Sequence, residues 1–478
     1  MLGRTRSRFP EGAAGFPVAC LCLEDDPCLM KPLVALIGRT NVGKSTLFNR
    51  LTRQSRALVD DQPGVTRDRL YGDVTWEDHA FLLIDTGGFG DTEDALSSRV
   101  RQQAELAAGE ADLVLFMVDG RQEIQPDDLE VAQYLRRSGK PVLLVINKID
   151  GPKQETRLPE FYRFGLTPLF PISAQHGLGV GSLLDAVVRY LPAAPDAGEP
   201  PEGIRVAVLG RPNVGKSSFI NRVLGEERLI VSDTPGTTRD AIDAPLIWDN
   251  RPYVLIDTAG IRRRSRIHQN LERGMIWQAL RALQRAEVVL LLLDAQEGLT
   301  EQDLRILNFI AVAGKGCLIG VNKWDVVGKD SQTQKAALDR LNMGLQLISY
   351  APVLPLSVLT GYQVSKVFPL LDEIYRQCQF RAATGELNRI FAQIVAAHPP
   401  PRYRHRSVKI YYLTQPDSRP PTFVAFTNIP GAAPDSYRRY LINQLRERLG
   451  LPYAPIRLHF KGKKHRRGSR IASGQSKD

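Results

Sequence analysis

One set of short motifs occurs twice in this chain, in the same order and at nearly the same spacing. The first copy reads Gly38-Arg39-Thr40-Asn41-Val42-Gly43-Lys44-Ser45, then Thr66, then Asp85-Thr86-Gly87-Gly88-Phe89, then Asn147-Lys148-Ile149-Asp150. The second reads Gly210-Arg211-Pro212-Asn213-Val214-Gly215-Lys216-Ser217, then Thr238, then Asp257-Thr258-Ala259-Gly260-Ile261, then Asn322-Lys323-Trp324-Asp325. A constant interval separates Lys44 from Lys216, Thr66 from Thr238 and Asp85 from Asp257, and only the last motif pair lies slightly further apart. A long repeat almost free of insertions specifies two domains built to one plan. The 478 residues exceed a single core and suit roughly three domains of about 150 residues each, so a third unit follows the repeat.

Hydrophobic runs place these motifs on elements. Leu33 to Ile37 is continuously apolar, as a strand buried on both faces requires, and ends at Gly38. A helix then carries Leu47, Phe48 and Leu51. Apolar runs at 81–84, 113–118 and 142–146, matched by 254–256, 288–293 and 318–321 in the second copy, alternate with helical segments. That alternation predicts α/β domains with a mostly parallel sheet, the first over 32–191 and the second over 204–379. Pro192, Pro195, Pro200 and Pro201 mark 192–203 as a semi-extended linker. Residues 1–31 read as a disordered extension, or as an over-called start upstream of Met30.

After Gln379 the periodicity changes. Leu387, Ile390, Phe391 and Ile394 predict an amphipathic helix with Thr384 as its cap; strands follow at 408–413 and 422–426, then a helix through Tyr437, Leu441 and Leu445. In a last strand Arg457, His459 and Lys461 alternate with Ile456, Leu458 and Phe460. The order α-β-β-α-β describes a small α+β domain over 380–462, with a basic tail at 463–478. Residues 380–478 carry a larger positive excess than the +11 of the whole chain, so the preceding part is slightly acidic. Such a block suits a polyanion, nucleic acid first, or alternatively a solvated solubilising face. The outward positions Arg457, His459 and Lys461, with the tail beyond them, are the expected contacts.

The five cysteines, Cys20, Cys22, Cys28, Cys317 and Cys378, lack the spacing of a disulfide framework or a zinc site. No disulfide partner is expected, and Cys317 belongs to a core strand. No apolar stretch of about 20 residues could span a membrane, and the expected location is the cytoplasm.

A glycine-rich loop between strand and helix turns backbone N–H groups toward phosphate oxygens, which the helix N-terminus also favours. Gly38, Gly43, Gly210 and Gly215 permit that turn. Lys44 and Lys216 reach the β- and γ-phosphates, and Ser45 and Ser217 offer hydroxyls to Mg²⁺. Thr66 and Thr238 complete the Mg²⁺ shell when a γ-phosphate is present, Asp85 and Asp257 hold the ion through water, and Gly88 and Gly260 offer backbone N–H groups to the γ-phosphate. Asp150 and Asp325 accept from guanine N1–H and the exocyclic amine, a pair adenine lacks, so the nucleotide is GTP or GDP. Ser173 and Ser357 are candidates for the loop against the base, a plain turn being the other reading for Ser357. Many GTPases orient the attacking water with a glutamine where this chain has Phe89 and Ile261. Neither side chain can hold a water, so unaided turnover is expected to be slow.

With these residues in place, 32–464 resembles the bacterial double-GTPase family Der, also called EngA. The tandem Asn-Val-Gly-Lys-Ser loops, the two Thr-Arg-Asp segments, Asp257-Thr-Ala-Gly-Ile-Arg-Arg-Arg264 and Lys409-Ile-Tyr-Tyr-Leu-Thr-Gln415 carry the resemblance. It implies two Ras-like G domains, a KH-like C-terminal domain, and a role in assembling the large (50S) ribosomal subunit through rRNA and ribosomal proteins. It also implies K⁺ beside the phosphates on Asn41 and Asn213, in place of an arginine finger; the alternative is a loop asparagine chosen for its turn. Thr40 replaces the proline seen at Pro212, Val358 replaces a usual alanine, and no Gly-x-x-Gly follows Gly385. The last departure removes the loop by which ordinary KH modules clamp nucleotides. Another reading is a nucleotide-gated scaffold, in which hydrolysis only resets the state.

Overall fold

The computed structural model describes residues 31–55, 71–86, 104–105, 108–109, 111–192, 203–225, 243–256, 271–328, 330–345 and 348–462. The first domain holds a six-stranded sheet in the order β2-β3-β1-β4-β5-β6: β1 Leu33–Ile37, β2 Tyr71–Trp76, β3 His79–Asp85, β4 Leu113–Asp119, β5 Val142–Asn147 and β6 Leu169–Pro171. The second repeats the order as β8-β9-β7-β10-β11-β12, with β7 Ile204–Leu209, β8 Ala244–Trp248, β9 Arg251–Ile256, β10 Val288–Asp294, β11 Gly316–Asn322 and β12 Val353–Pro355. In each sheet one edge strand, β2 or β8, runs antiparallel to its neighbour, while the described pairings of the others are parallel. Every residue of β1, β4, β10 and β11 is buried, because helices cover both faces. Cys317 lies within that core, fully buried on β11.

The pairing register brings the motif-bearing strand ends together. Leu36 faces Asp85, Asp119 faces Asn147, and Asp294 faces Asn322. Ligands of open α/β sheets bind outside the carboxyl ends of the strands, where these residues lie. Tyr71 opens β2, donating from its hydroxyl to the Phe309 carbonyl at 2.9 Å, with the rings 5.2 Å apart. Helix Glu301–Ala313 of the second domain carries Phe309.

The C-terminal domain packs helices Thr384–Ala397 and Asp435–Arg448 on a three-stranded sheet, β13 Ile410–Ser418, β14 Pro421–Thr427 and β15 Arg457–Gly462. Strand β13 is antiparallel to β14, and β14 is parallel to β15. Its core joins Leu387, Phe391, Ile394, Leu413, Phe423, Leu441, Leu445 and Leu458. Two expectations need correction here. Thr384 is the first helical residue, and the cap position falls on Ala383, which makes no side-chain hydrogen bond. Arg457 and His459 do not face solvent. Arg457 Nη2 donates to the Val312 carbonyl at 2.7 Å, and His459 is buried within its own domain. The reason is the end of helix Glu301–Ala313, whose free carbonyls and negative dipole end attract a guanidinium. The Tyr453 N–H likewise donates to Gln377 Oε1 at 2.7 Å, so this domain is docked on the second G domain.

Candidate nucleotide-binding sites

The two glycine-rich loops share one backbone conformation. Gly38, Asn41 and Gly43 have φ of 152°, 65° and 102°, against 143°, 65° and 101° at Gly210, Asn213 and Gly215. Thr40 therefore fits the turn as well as Pro212 does. Each loop leads directly into a helix, Lys44–Ser55 or Lys216–Gly225. Lys44 Nζ donates to the carbonyls of Gly38 and Arg39 at 2.6 and 2.7 Å, and Lys216 Nζ donates to Gly210 O at 2.6 Å and also to Arg211 O. Burial pushes the Lys44 pKa below its ordinary value, and the nearby Asp85 carboxylate opposes the shift. Both ammonium groups fold back over their loops, where an incoming phosphate would meet them.

Val42 and Val214 are buried loop anchors whose carbonyls accept from Asn147 Nδ2 and Asn322 Nδ2, each at 2.8 Å. The amide oxygens of the same asparagines accept from Ala174 N–H and Val358 N–H, each at 2.9 Å. One buried asparagine thus ties the phosphate loop to the base loop in each domain. Val358 contributes its backbone, so replacing alanine there leaves the connection intact. Ser173 Oγ donates to Asp150 Oδ1 at 2.6 Å, Ser357 Oγ donates to Asp325 Oδ1, and both serines are fully buried. The Ser173 hydrogen bond, with help from Arg121, holds the Asp150 carboxyl below the usual carboxylate range. Ile149 and Trp324 pack into the core beneath these loops.

Ser45 Oγ donates to Asp85 Oδ2 at 2.9 Å, which joins a hydroxyl and a carboxylate at the mouth of the first loop. That oxygen pair suits Mg²⁺. Thr86 is held by a hydroxyl donation to Leu36 O at 2.8 Å. Thr66, Gly87, Gly88 and Phe89, and in the second copy Thr238, Asp257, Thr258, Ala259, Gly260 and Ile261, lie outside the described residues. Ser217 is the second residue of the helix that follows the second loop. Asn41 and Asn213 are exposed in left-handed backbone, a conformation that asparagine tolerates better than most residues.

Several participants escape motif reading. Arg39 Nε donates to both oxygens of the buried Asp128 at 3.0 Å, and Arg211 Nε donates to Asp303 at 2.9 Å. The side chains of these loop residues therefore turn away from the phosphate seat to brace the loop. Lys148 and Lys323 pair with Asp119 and Asp294 at 2.6 Å, and Lys148 also donates to Asn41 O at 2.7 Å. Arg50 donates to Ala174 O and Gln175 O, both at 2.6 Å; Arg222 donates to Val358 O at 2.7 Å and Leu359 O at 3.1 Å. The charged residues among these partners recur at the intervals that separate the motifs, and that recurrence is the signal by which the sequence could have exposed them.

Comparisons with known proteins agree with this duplicated architecture. The family described as 50S ribosome-binding GTPase matches residues 33–148 and again 205–323, and the KH-domain-like region of EngA bacterial GTPase enzymes matches 381–461. GTPase Der of Moorella thermoacetica is 52% identical over 432 residues, covering 90% of this chain and 98% of that protein. The chain belongs to the Der (EngA) family of GTPases. GTPase Der of Symbiobacterium thermophilum is 48% identical, over 94% of this chain and 98% of its own length. Among solved structures, the G domain of T. maritima FeoB is 28% identical over 34% of this chain and 98% of that chain, with a TM-score of 0.26. The Der family has tandem G domains and a KH-like domain, so this chain is a GTPase with two G domains. No helix among the described residues is long and apolar enough to cross a membrane.

Proposed function

We propose that this Der-family GTPase is a cytoplasmic switch in assembly of the large ribosomal subunit, binding rRNA and ribosomal proteins according to its nucleotide state. The observation that carries the proposal is the double match to a family described as 50S ribosome-binding GTPase, followed by the EngA-type KH-like match. Each G domain cleaves the bond between the β- and γ-phosphates of GTP with water, giving GDP and phosphate. Lys44 and Lys216 bind the β- and γ-phosphates, exchanging loop carbonyls for phosphate oxygens. Ser45, Thr66 and Asp85, with Ser217, Thr238 and Asp257, would hold Mg²⁺, which supplies charge neutralisation to the phosphates. Gly88 and Gly260 offer N–H groups to the γ-phosphate, and Asp150 and Asp325 select guanine.

With Phe89 and Ile261 unable to orient water, unaided turnover is slow. K⁺ would lie against Asn41 and Asn213, supplying positive charge beside the phosphates. Their left-handed turn accounts for asparagine by backbone alone, so the ion's role rests on a kinetic test. Exchanging Na⁺ for K⁺ is expected to raise turnover about tenfold or more, a modest share of what an arginine finger supplies. Asn213→Ala is expected to remove most of that rise in the second domain. Equal rates in the two salts would leave the asparagines structural and require a protein activator.

The RNA anchor is assigned to a basic hairpin ahead of β13. Tyr403 and Arg406 exchange backbone hydrogen bonds at 3.0 and 2.9 Å, and Arg404 and His405 both have positive φ, the signature of a two-residue primed turn. Arg402, Arg404, Arg406 and Lys409 are all exposed around it. Because Arg457 docks this domain on the second G domain, changing hairpin charges is a cleaner test than truncation at Gln379. If about five phosphates are contacted, log affinity for large-subunit particles should fall with log salt at a slope near −3.5, taking roughly −0.7 per contact. Replacing the four hairpin cations with alanine should flatten that slope by about 2.8, with GTP binding retained. An unchanged slope would move the anchor to the G domains, with Arg262, Arg263, Arg264 and Arg266 next.

A further inference from the structure

The two guanine seats differ in one respect that their motifs do not reveal. After β4, the Arg121 N–H donates to Asp119 Oδ1 at 2.9 Å and the Arg121 carbonyl accepts from Arg157 Nη1 at 3.0 Å, so its backbone is held from both sides. Its side chain, 56% exposed, reaches across and donates from Nη2 to Asp150 Oδ2. The other oxygen of Asp150 takes the Ser173 hydroxyl at 2.6 Å. The acceptor pair expected to receive guanine is therefore already engaged. In the second domain the Gln296 N–H makes the same 2.9 Å bond to Asp294 Oδ1, but its side chain carries no charge to bring to Asp325.

The chemistry of the two competitors is alike. Guanine's selected edge, N1–H beside the C2 amino group, is a guanidine built into a ring, and arginine presents the same planar array of N–H donors with a full positive charge. We propose that Arg121 is an intramolecular stand-in for guanine, capping Asp150 of the first site and leaving it when nucleotide arrives. Among the described residues the second site has no such cap, so the two sites differ in affinity and salt response although their motifs match. This inference rests on Asp150 being the guanine acceptor, and the experiment separates the two claims.

The full chain carrying Lys216→Ala, which silences the second site, is titrated with methylanthraniloyl-GDP at low and high salt, with Arg121 or Gln at position 121. Exposed ion pairs are weak and screened by salt. Arg121→Gln is therefore expected to tighten first-site binding about threefold at low salt, with the ratio falling toward one as salt rises. In an Asp150→Asn background read with methylanthraniloyl-XDP, the same change should have no effect, since a neutral amide no longer holds the guanidinium. Unchanged or weaker GDP binding by Arg121→Gln overturns the inference, as does an equal gain in both backgrounds. If Asp150→Asn fails to turn the site toward xanthine, the guanine assignment falls and takes the cap with it.

Discussion

Asp325→Asn is expected to move the second site from GTP to XTP without disturbing the first, and Asp150→Asn to do the reverse. The carboxylate accepts two N–H donors from guanine; an amide offers a donor in place of one acceptor, which suits the xanthine oxygen. A site built around such a hydrogen-bonding edge rejects the wrong base by roughly 10⁴ or more, so the preference should invert rather than soften. The surroundings favour a clean exchange. Ser357 and Ser173 already fix one oxygen of each aspartate, and Asn322 and Asn147 tie the neighbouring loops. Competition of unlabelled GTP, XTP and ATP against a fluorescent nucleotide would measure it. Unaltered GTP preference in both variants would place base selection elsewhere.

The second large effect is expected at the glycines that open the phosphate loops. A Cβ at Gly210 would lie 2.4 Å from Leu292 O, and one at Gly38 would lie 2.2 Å from Met117 O. Both neighbours are backbone atoms of central strands and cannot swing aside, and both glycines have φ in the range side chains avoid. Relieving the clash forces the loop out of its turn. A strain of about 2 to 3 kcal/mol corresponds to roughly 30- to 150-fold in affinity, so Gly210→Ala should lose nucleotide at the second site alone and Gly38→Ala at the first alone. Paired titrations of the two variants check this, and retention of both sites in either would contradict the loop assignment.

The sequence made the central strands legible because a strand buried on both faces has to be apolar throughout, as β1, β4, β10 and β11 are. It hid the edge strands. Tyr71–Trp76 mixes buried and exposed positions over six residues, and β6 and β12 have three residues each, too few to show a period. Alternation along β15 tells which residues share a face but not what covers that face; the end of helix Glu301–Ala313 does, so alternation alone places Arg457 in solvent. The repeat interval could have exposed Arg50 with Arg222 and Asp119 with Asp294. Arg121 could not be found that way. Its counterpart is Gln296, and the difference acquires meaning only when its guanidinium is placed on Asp150.

The central claim is that one chain carries two separate guanine-selective sites, and calorimetric stoichiometry tests it most directly. The intact chain in Mg²⁺ should take up two equivalents of GDP, Asp325→Asn should take up one, and adding XDP to that variant should restore the second. One equivalent of GDP in the unmodified chain, or displacement of GDP by ATP at similar concentration, would contradict it.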